Sequence, residues 1–412
     1  MAPGLTPGLG DLGLGGHEIT TGKLGLYTLF GGIPPEETLP ISFDVGCNGN
    51  GRNDPFYLGV DGDRDQSENF YELVNETVQA VHELWPNCVF QFEDFSQETA
   101  FELLRRNIDI ESPIFNDDLS GTGIVAAAAV ASGLRAASLM SGREVTASEQ
   151  RVCQLGAGVG GLGVSEMVAG LMEDEGTSAE EARSKFFLMD KEGVVTKCRK
   201  DLTIEQVEWA QPTCETTEIT SFGGLCKEVK PTILLGLSTV GGAFDSDEVL
   251  GPCCENEQMP IVLALSNPNV KAEISAIDCH DRTTALGNTA LYASGSPMAP
   301  PPGHVVPTQC NNSFAFPGIG LACKTAGIQK ITQKMFRAAA KALANMMTED
   351  QLRSGMLLPE IAHAREAAVK VATGVAIEGM NSGLARAEGL PETEAELEQL
   401  MRDSMWNPAD QF

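Results

Sequence analysis

An α/β architecture, with a Rossmann-like dinucleotide domain beside a second α/β domain, is what this sequence predicts, and three observations predict it. Apolar runs such as RVCQL (151–155), KFFLMD (185–190), PTILLG, MPIVLALSNP and ALYASGSP alternate with helical patterns, as in a parallel sheet with crossover helices. Gly156-Ala157-Gly158-Val159-Gly160-Gly161 has the G-x-G-x-x-G spacing with a strand before it and a helix after it, the context that motif needs. Two acidic pairs, Glu93-Asp94 and Asp117-Asp118, each follow a short apolar run, with a helical pattern between them, giving strand, carboxylates, helix, strand, carboxylates.

Composition narrows the function classes. The 412 residues allow two or three domains, and 42% hydrophobic content with 44 Gly and 22 Pro is ordinary for a globular α/β chain. Lys and Arg total 28 against 57 Asp and Glu, a net charge of −29. A surface that acidic repels phosphate backbones and anionic membranes, so neither nucleic acid nor membrane is an expected partner. An anionic substrate needs a local cation, either a metal or a placed lysine. Eleven scattered cysteines without a C-x-x-C pair read as reduced thiols. No run of about 18 apolar residues is present. The N-terminus carries neither a signal-peptide nor a transit-peptide pattern. A cytoplasmic location is expected, with mitochondrion and plastid left open because the N-terminus looks abrupt.

In chain order, residues 8–22 read as a glycine-rich loop, and Lys23 opens a short helix that ends at Gly31-Gly32. A lysine at such a junction is a candidate base if burial depresses its pKa; otherwise it is a solvated surface lysine. LPISFDVG (39–46) reads as a buried strand, and 68–84 as an amphipathic helix that stops before Pro86. At the two acidic pairs, parallel strand ends would deliver the carboxylates to one crevice. There they repel each other unless a cation neutralises them, and an all-oxygen set suits Mg²⁺ or Mn²⁺. The alternative is solvated acids in a very acidic protein. After Thr122 a small-residue helix runs to Gly142.

In the dinucleotide motif, Gly156 makes the tight turn, Gly158 lets the backbone approach a pyrophosphate, and Gly161 permits close packing. Asp190 ends the next strand, where an acid bonds ribose hydroxyls and leans the choice towards NAD over NADP. Asn267, in LSNP, sits at a later strand end, placed to bond cofactor or substrate or simply to form a turn before Pro268. Asn311-Asn312 head a loop into a helix. Long alanine-rich helices cover 331–347 and 359–380, and the tail from 385 to 412 is acidic.

GLGDLG…GK (8–23), LYTLFGGIPPEETLPISFDVG, QFEDF, FNDDLSGT, GAGVGGLG, GGAF, LSNP, ASGSP and NNSFAFPG follow one another in the order and approximate spacing of malic enzymes. The chain resembles that family over essentially its whole length. The resemblance implies oxidative decarboxylation of L-malate to pyruvate and CO₂, with reduction of NAD(P)⁺ on a divalent metal. It implies Glu93, Asp94 and Asp118 as metal ligands, Lys23 as the base and Asp117 as the residue that holds it. Asn267, Asn311 and Asn312 would contact substrate or nicotinamide. Gly156, Ala157, Gly158, Gly161 and Asp190 would hold the dinucleotide. It further implies a catalytic domain from 1–116 and 312–383, a nucleotide domain over 117–311, a tail from 384 to 412, and a homo-oligomer for the full-length form.

The match has gaps. The family's proton-donating tyrosine precedes GLGDLG, and Leu5 stands where the family has a carboxylate-clamping arginine. Tyr27 and Tyr292 are not obvious substitutes, and the loop before Lys23 lacks the usual apolar-proline pair. The chain is thus expected to be N-terminally truncated relative to the family. The alternative expectation is a catalytically impaired nucleotide-binding fragment or regulatory subunit.

Overall fold

The computed structural model describes residues 5–6, 10–107, 110–212, 219–256 and 259–411. The chain forms two compact units. The first comprises Met1–Gly121, Asn312–Ala342 and Ile361–Phe412, and the second Thr122–Asn311 with Leu343–Glu360.

The second unit is built on a seven-stranded sheet. Its order is Thr308–Gln309, Leu291–Ser294, Ile261–Ala264, Ile233–Gly236, Val152–Leu155, Phe186–Asp190, Gly193–Val194. All pairings are parallel except the last, where Asp190 faces Gly193 antiparallel. The central strands are continuous Ile/Val/Leu runs because both faces are covered, and Ile233, Leu234, Leu235, Val262 and Leu263 have no solvent exposure. From Val152–Leu155 the chain moves first to one neighbour, Phe186–Asp190, and later to the other, Ile233–Gly236. That reversal is the topological switch point at which open parallel sheets bind ligands. Residues 343–360, which the expected segmentation gave to the catalytic domain, cluster here: Arg135 donates to the carbonyls of Ala344 (2.5 Å) and Met347 (3.1 Å), and the Leu357 amide donates to Thr308 Oγ1 (2.8 Å).

The first unit packs the helices His17–Gly31, Phe316–Ala326 and Ala364–Asn381 together. Close approach is possible because Gly318 and Gly320 lack side chains; a Cβ would lie 2.6 Å from the Ala368 carbonyl oxygen and 2.4 Å from the Tyr27 ring, respectively. Residues 384–412, expected as a separate tail, cluster with this unit. Their helix Glu394–Asp403 buries Leu397 and Met401 against Ala364–Asn381, where Lys370 meets Glu398 at 2.6 Å. A two-stranded parallel sheet, Phe90–Phe92 with Ile114–Asn116, pairs Phe92 with Asn116.

Several local expectations are corrected. The helix that carries Lys23 starts at His17, after a 3-10 turn at Gly13–Gly16. The glycines are concentrated before His17, and HEITT continues the helical register with Glu18 in its first turn. Lys23 is therefore inside a helix and not at a loop junction. Residues 39–46 form no strand; isolated bonds such as Asp65 N–H to the Val45 carbonyl (2.8 Å) tie them to 60–65. The small-residue helix begins at Asp117, so the second acidic pair forms its first turn. That helix, Asp117–Ser141, is long and apolar enough by composition to cross a membrane. Its stretch from Ile124 to Val130 is nevertheless wholly buried. Cys198 is disulfide-bonded, contrary to the expectation of reduced thiols throughout, whereas Cys47, Cys88, Cys153, Cys226, Cys253, Cys254, Cys279, Cys310 and Cys323 are free.

Candidate active site

Parallel pairing of Phe90–Phe92 with Ile114–Asn116 makes both acidic pairs leave the sheet at the same end. Glu93 and Asp94 follow one strand directly, and Asp117 and Asp118 follow the other. Glu93, Asp94 and Asp118 each offer a carboxylate oxygen, and these oxygens lie within 4.8 Å of one another. Asp94 holds a left-handed backbone (φ 58°), and its amide donates to Asp118 Oδ2 at 2.7 Å. A non-glycine residue keeps that conformation only where its surroundings impose it.

Lys23 reaches this cluster from the helix His17–Gly31. Its ammonium lies 2.9 Å from Glu93 Oε1 and also pairs with Asp117 Oδ2, over the Phe316 ring at 4.8 Å. Burial disfavours the charged amine, but Asp117 and Glu93 outweigh it and raise the Lys23 pKa. The depressed lysine considered from sequence is thus reversed for the protein groups alone. Burial and Glu93 push the Asp94 carboxyl up to about 7, with Lys23 opposing. Burial pushes Asp117 up to about 7 against the pull of Lys23, and burial with Glu93 and Asp94 raises Asp118 strongly.

Among the described residues, Asp94 Oδ2 and Asp117 Oδ1 are buried without a hydrogen-bond partner. Buried carboxylate oxygens cost free energy unless a cation or donors meet them. Three converging carboxylates with an orphaned oxygen therefore fit a hard divalent ion. Gly121, one turn after Asp117, is required here: a Cβ would lie 1.9 Å from Asp117 Oδ1 and 3.1 Å from Asn312 Cβ. Asn312 thus borders the same cluster, at the start of a 3-10 turn.

Two residues not singled out as site residues join this group. Tyr27, one turn after Lys23, donates its hydroxyl to Gln91 Oε1 at 2.6 Å, and Gln91 Nε2 donates to Glu93 Oε2 at 2.8 Å. Burial and Asp117 raise the Tyr27 pKa, which keeps it a donor. A signal was present in the sequence: Gln91 is the one polar residue inside VFQF.

The remaining expected site residues belong to the second unit. Gly156 has φ 107°, and a Cβ on it would lie 2.2 Å from the Leu237 carbonyl oxygen; a Cβ on Gly161 would lie 2.4 Å from that of Gly156. Both positions exclude any side chain. Gly158 is the N-cap of the helix Val159–Asp174, which leaves that helix N-terminus facing the turn. Buried Gln154, another polar residue in an apolar run, donates to the carbonyls of Gly156 and Gly161 at 2.9 Å each. The Ala157 carbonyl accepts from Gln206 (3.1 Å), which also reaches Asp190 Oδ2 (3.3 Å), while Asp190 Oδ1 pairs with Arg199 at 2.7 Å. Asn267, exposed before Pro268, contacts the Ser296 hydroxyl through its Oδ1. Asn311 closes the long segment of the second unit and Asn312 opens the next segment of the first, so the pair is divided between them.

Comparison with known proteins shows the family and the fold. Residues 6–108 match the family model "Malic enzyme, N-terminal domain", and residues 119–380 match "Malic enzyme, NAD binding domain". An NAD-dependent malic enzyme of Proteus mirabilis is 38% identical over 411 residues, covering 97% of this chain and 70% of the relative. An NADP-dependent malic enzyme of Anas platyrhynchos is 35% identical over 391 residues, covering 93% and 68%. Crystal structures of malic enzymes from Entamoeba histolytica (TM-score 0.73, 22% identity, 98% of this chain and 72% of that one) and Pyrococcus horikoshii (0.70, 21%, 98% and 79%) share the fold. With both family models matched in order and relatives above one-third identity along nearly its whole length, this chain belongs to the malic enzyme family.

Proposed function

We propose that this chain oxidises and decarboxylates L-malate to pyruvate and CO₂, reducing NAD(P)⁺. The observation that carries the proposal is Lys23, half-buried and paired with both Glu93 and Asp117 beside a three-carboxylate cluster. Glu93, Asp94 and Asp118 would hold a divalent Mg²⁺ or Mn²⁺. Bound there, the ion supplies Lewis-acid polarisation of the substrate oxygens.

Among the described residues Lys23 is the side-chain cation that pairs with these carboxylates, and its Nζ is the atom proposed to exchange a proton with the substrate hydroxyl. Two carboxylates hold its proton in place. Engaging Glu93 in cation binding leaves Asp117 as the remaining partner, which lowers the proton affinity of Lys23 towards that of a working base. Asn312 borders this cluster, and Asn267 stands at a strand end of the nucleotide-binding unit; both are proposed to orient substrate or nicotinamide, with Asn311.

NAD is the favoured nucleotide. Asp190 offers a carboxylate at the position that bonds ribose hydroxyls, and it disfavours a 2′-phosphate. Arg199 is already engaged by Asp190 and Asp201. A homo-oligomer is further proposed, on the family resemblance alone.

A spectrophotometric assay with malate, Mn²⁺ and each nucleotide tests the proposal. Malate-dependent NAD(P)H formation is expected, faster with NAD⁺. Lys23→Met should lower kcat by about 10² or more while leaving nucleotide affinity unchanged. Nucleotide and Mn²⁺ binding without turnover would leave a binding subunit, and Lys23→Met at full rate would remove the lysine from the chemistry.

A further inference from the structure

Glu273 is fully buried in the second unit, and it follows a 3-10 turn at Asn269–Lys271. Its Oε1 accepts from the Ser238 amide (2.9 Å), the Ser238 hydroxyl (2.9 Å) and the Ser266 hydroxyl (2.5 Å), and the Ser266 amide approaches Oε2 at 3.4 Å. Room for the carboxyl exists only because residue 236 is glycine: a Cβ there would lie 2.5 Å from the Glu273 carboxyl carbon. A buried carboxyl surrounded by donors from two segments is a clasp, because removing it strands several polar groups at once.

The two segments it joins are the loops that follow the strands Ile233–Gly236 and Ile261–Ala264. Backbone bonds extend the clasp: Gly242 N–H donates to the Ala272 carbonyl (3.0 Å), and Phe244 N–H to that of Glu273 (2.8 Å). Above it, Thr239 holds a left-handed backbone at φ 59°. A β-branched residue adopts that conformation only when its surroundings impose it. What imposes it is the same network, since Thr239 N–H donates to Ser266 Oγ at 2.8 Å while the Ser266 hydroxyl donates to Glu273 Oε1.

Residues 239–242 are exposed, and the loop abuts the glycine-rich turn: a Cβ on Gly156 would lie 2.2 Å from the Leu237 carbonyl oxygen and 3.0 Å from the Ser238 nitrogen. A ligand seated on Gly156–Gly161 would meet residues 238–240 as its neighbouring wall. We propose that Glu273 is a positioning residue for dinucleotide binding, holding Ser238, Thr239 and Ser266 so that this strained, exposed turn is preset beside the glycine-rich loop. The proposal rests on the reading of the chain as an NAD(P)-dependent enzyme, and it adds a residue that touches neither nucleotide nor substrate.

The test uses the full chain with Glu273→Ala, Glu273→Gln and Ser266→Ala. NAD⁺ and NADP⁺ binding is measured by calorimetry well below the unfolding midpoint, and KM for nucleotide and for malate by steady-state kinetics. Ser266→Ala removes a single hydroxyl, so it keeps the test available if Glu273→Ala does not fold. Nucleotide Kd and KM should rise about tenfold in the folded variants, the loss expected for stranding a buried polar partner, with malate KM within about twofold of the parent. Nucleotide Kd unchanged in folded Ser266→Ala and Glu273→Gln, even with a lowered unfolding midpoint, would reduce the clasp to a purely structural role and overturn the proposal. A parent chain that binds neither nucleotide would instead overturn the functional reading, and the two results are distinct.

Discussion

At the scale of single residues, the site depends on what is absent as much as on what is present. Asp117 lies against Lys23 because Gly121 leaves its Oδ1 free space. Gly121→Ala is expected to force Asp117 off the lysine and to destabilise the protein by about 1–3 kcal/mol through overpacking. Urea denaturation of the variant checks this, and a stability equal to the parent would mean that the carboxylate can move without penalty. The polar residues Gln91 and Gln154 were legible only as interruptions of apolar runs. Their partners, Glu93 with Tyr27 and the carbonyls of Gly156 and Gly161, are distant in sequence or set by turn geometry, so neither could be named from the sequence. Lys23 is the clearest case. A buried lysine is expected to lose its proton readily, and here two carboxylates from separate strand ends reverse the direction.

At the scale of elements, strand periodicity and helix stops placed most segments well. The helix Glu68–Leu84 and the strands Val152–Leu155 and Phe186–Asp190 fall where apolar patterning and flanking residues locate them. Residues 39–46 do not: an apolar run becomes a strand only when a neighbouring strand takes up its backbone groups, and tertiary packing supplies none there among the described residues. The strand end at Asp190 carries a testable consequence. Its carboxylate is shared by Arg199 at 2.7 Å and Gln206 at 3.3 Å. Asp190→Ser would remove the carboxylate that repels a 2′-phosphate and free Arg199 Nη1, with Asp201 still holding the rest of the guanidinium, and the ratio of kcat/KM for NAD⁺ over NADP⁺ should fall by about tenfold or more, the scale of losing or gaining one charged contact. An unchanged ratio would place nucleotide choice elsewhere.

At the scale of the whole molecule, acidity and the carboxylate cluster are coupled. Asp94 and Asp117 titrate at about 7 in the fold against an ordinary 3.8. Between those values the folded chain binds more protons than the unfolded chain, so the metal-free protein should lose stability as pH rises from about 4 to 7. A divalent ion competes with protons for the Asp94 carboxylate, so its affinity should rise over the same interval. Thermal unfolding with and without Mn²⁺ checks both signs: the stabilisation by Mn²⁺ should be larger at about pH 8 than at about pH 5. A Mn²⁺ shift that is absent at every pH would rule out the cluster as a metal site.

By itself the sequence determined the alternation of strands and helices, the glycine-rich turn after Val152–Leu155, the positions of both acidic pairs and the family resemblance, because these are local patterns that the chain carries in its own spacing. Tertiary structure decided which groups meet. The parallel register of Phe90–Phe92 with Ile114–Asn116 sends both acidic pairs out at one end, and the helix His17–Gly31 brings Lys23 to them. Glu273 acquires its partners only when two strand-end loops lie side by side. Proton affinity, orphaned oxygens and backbone strain all arise from such non-local contacts, and no local pattern encodes them.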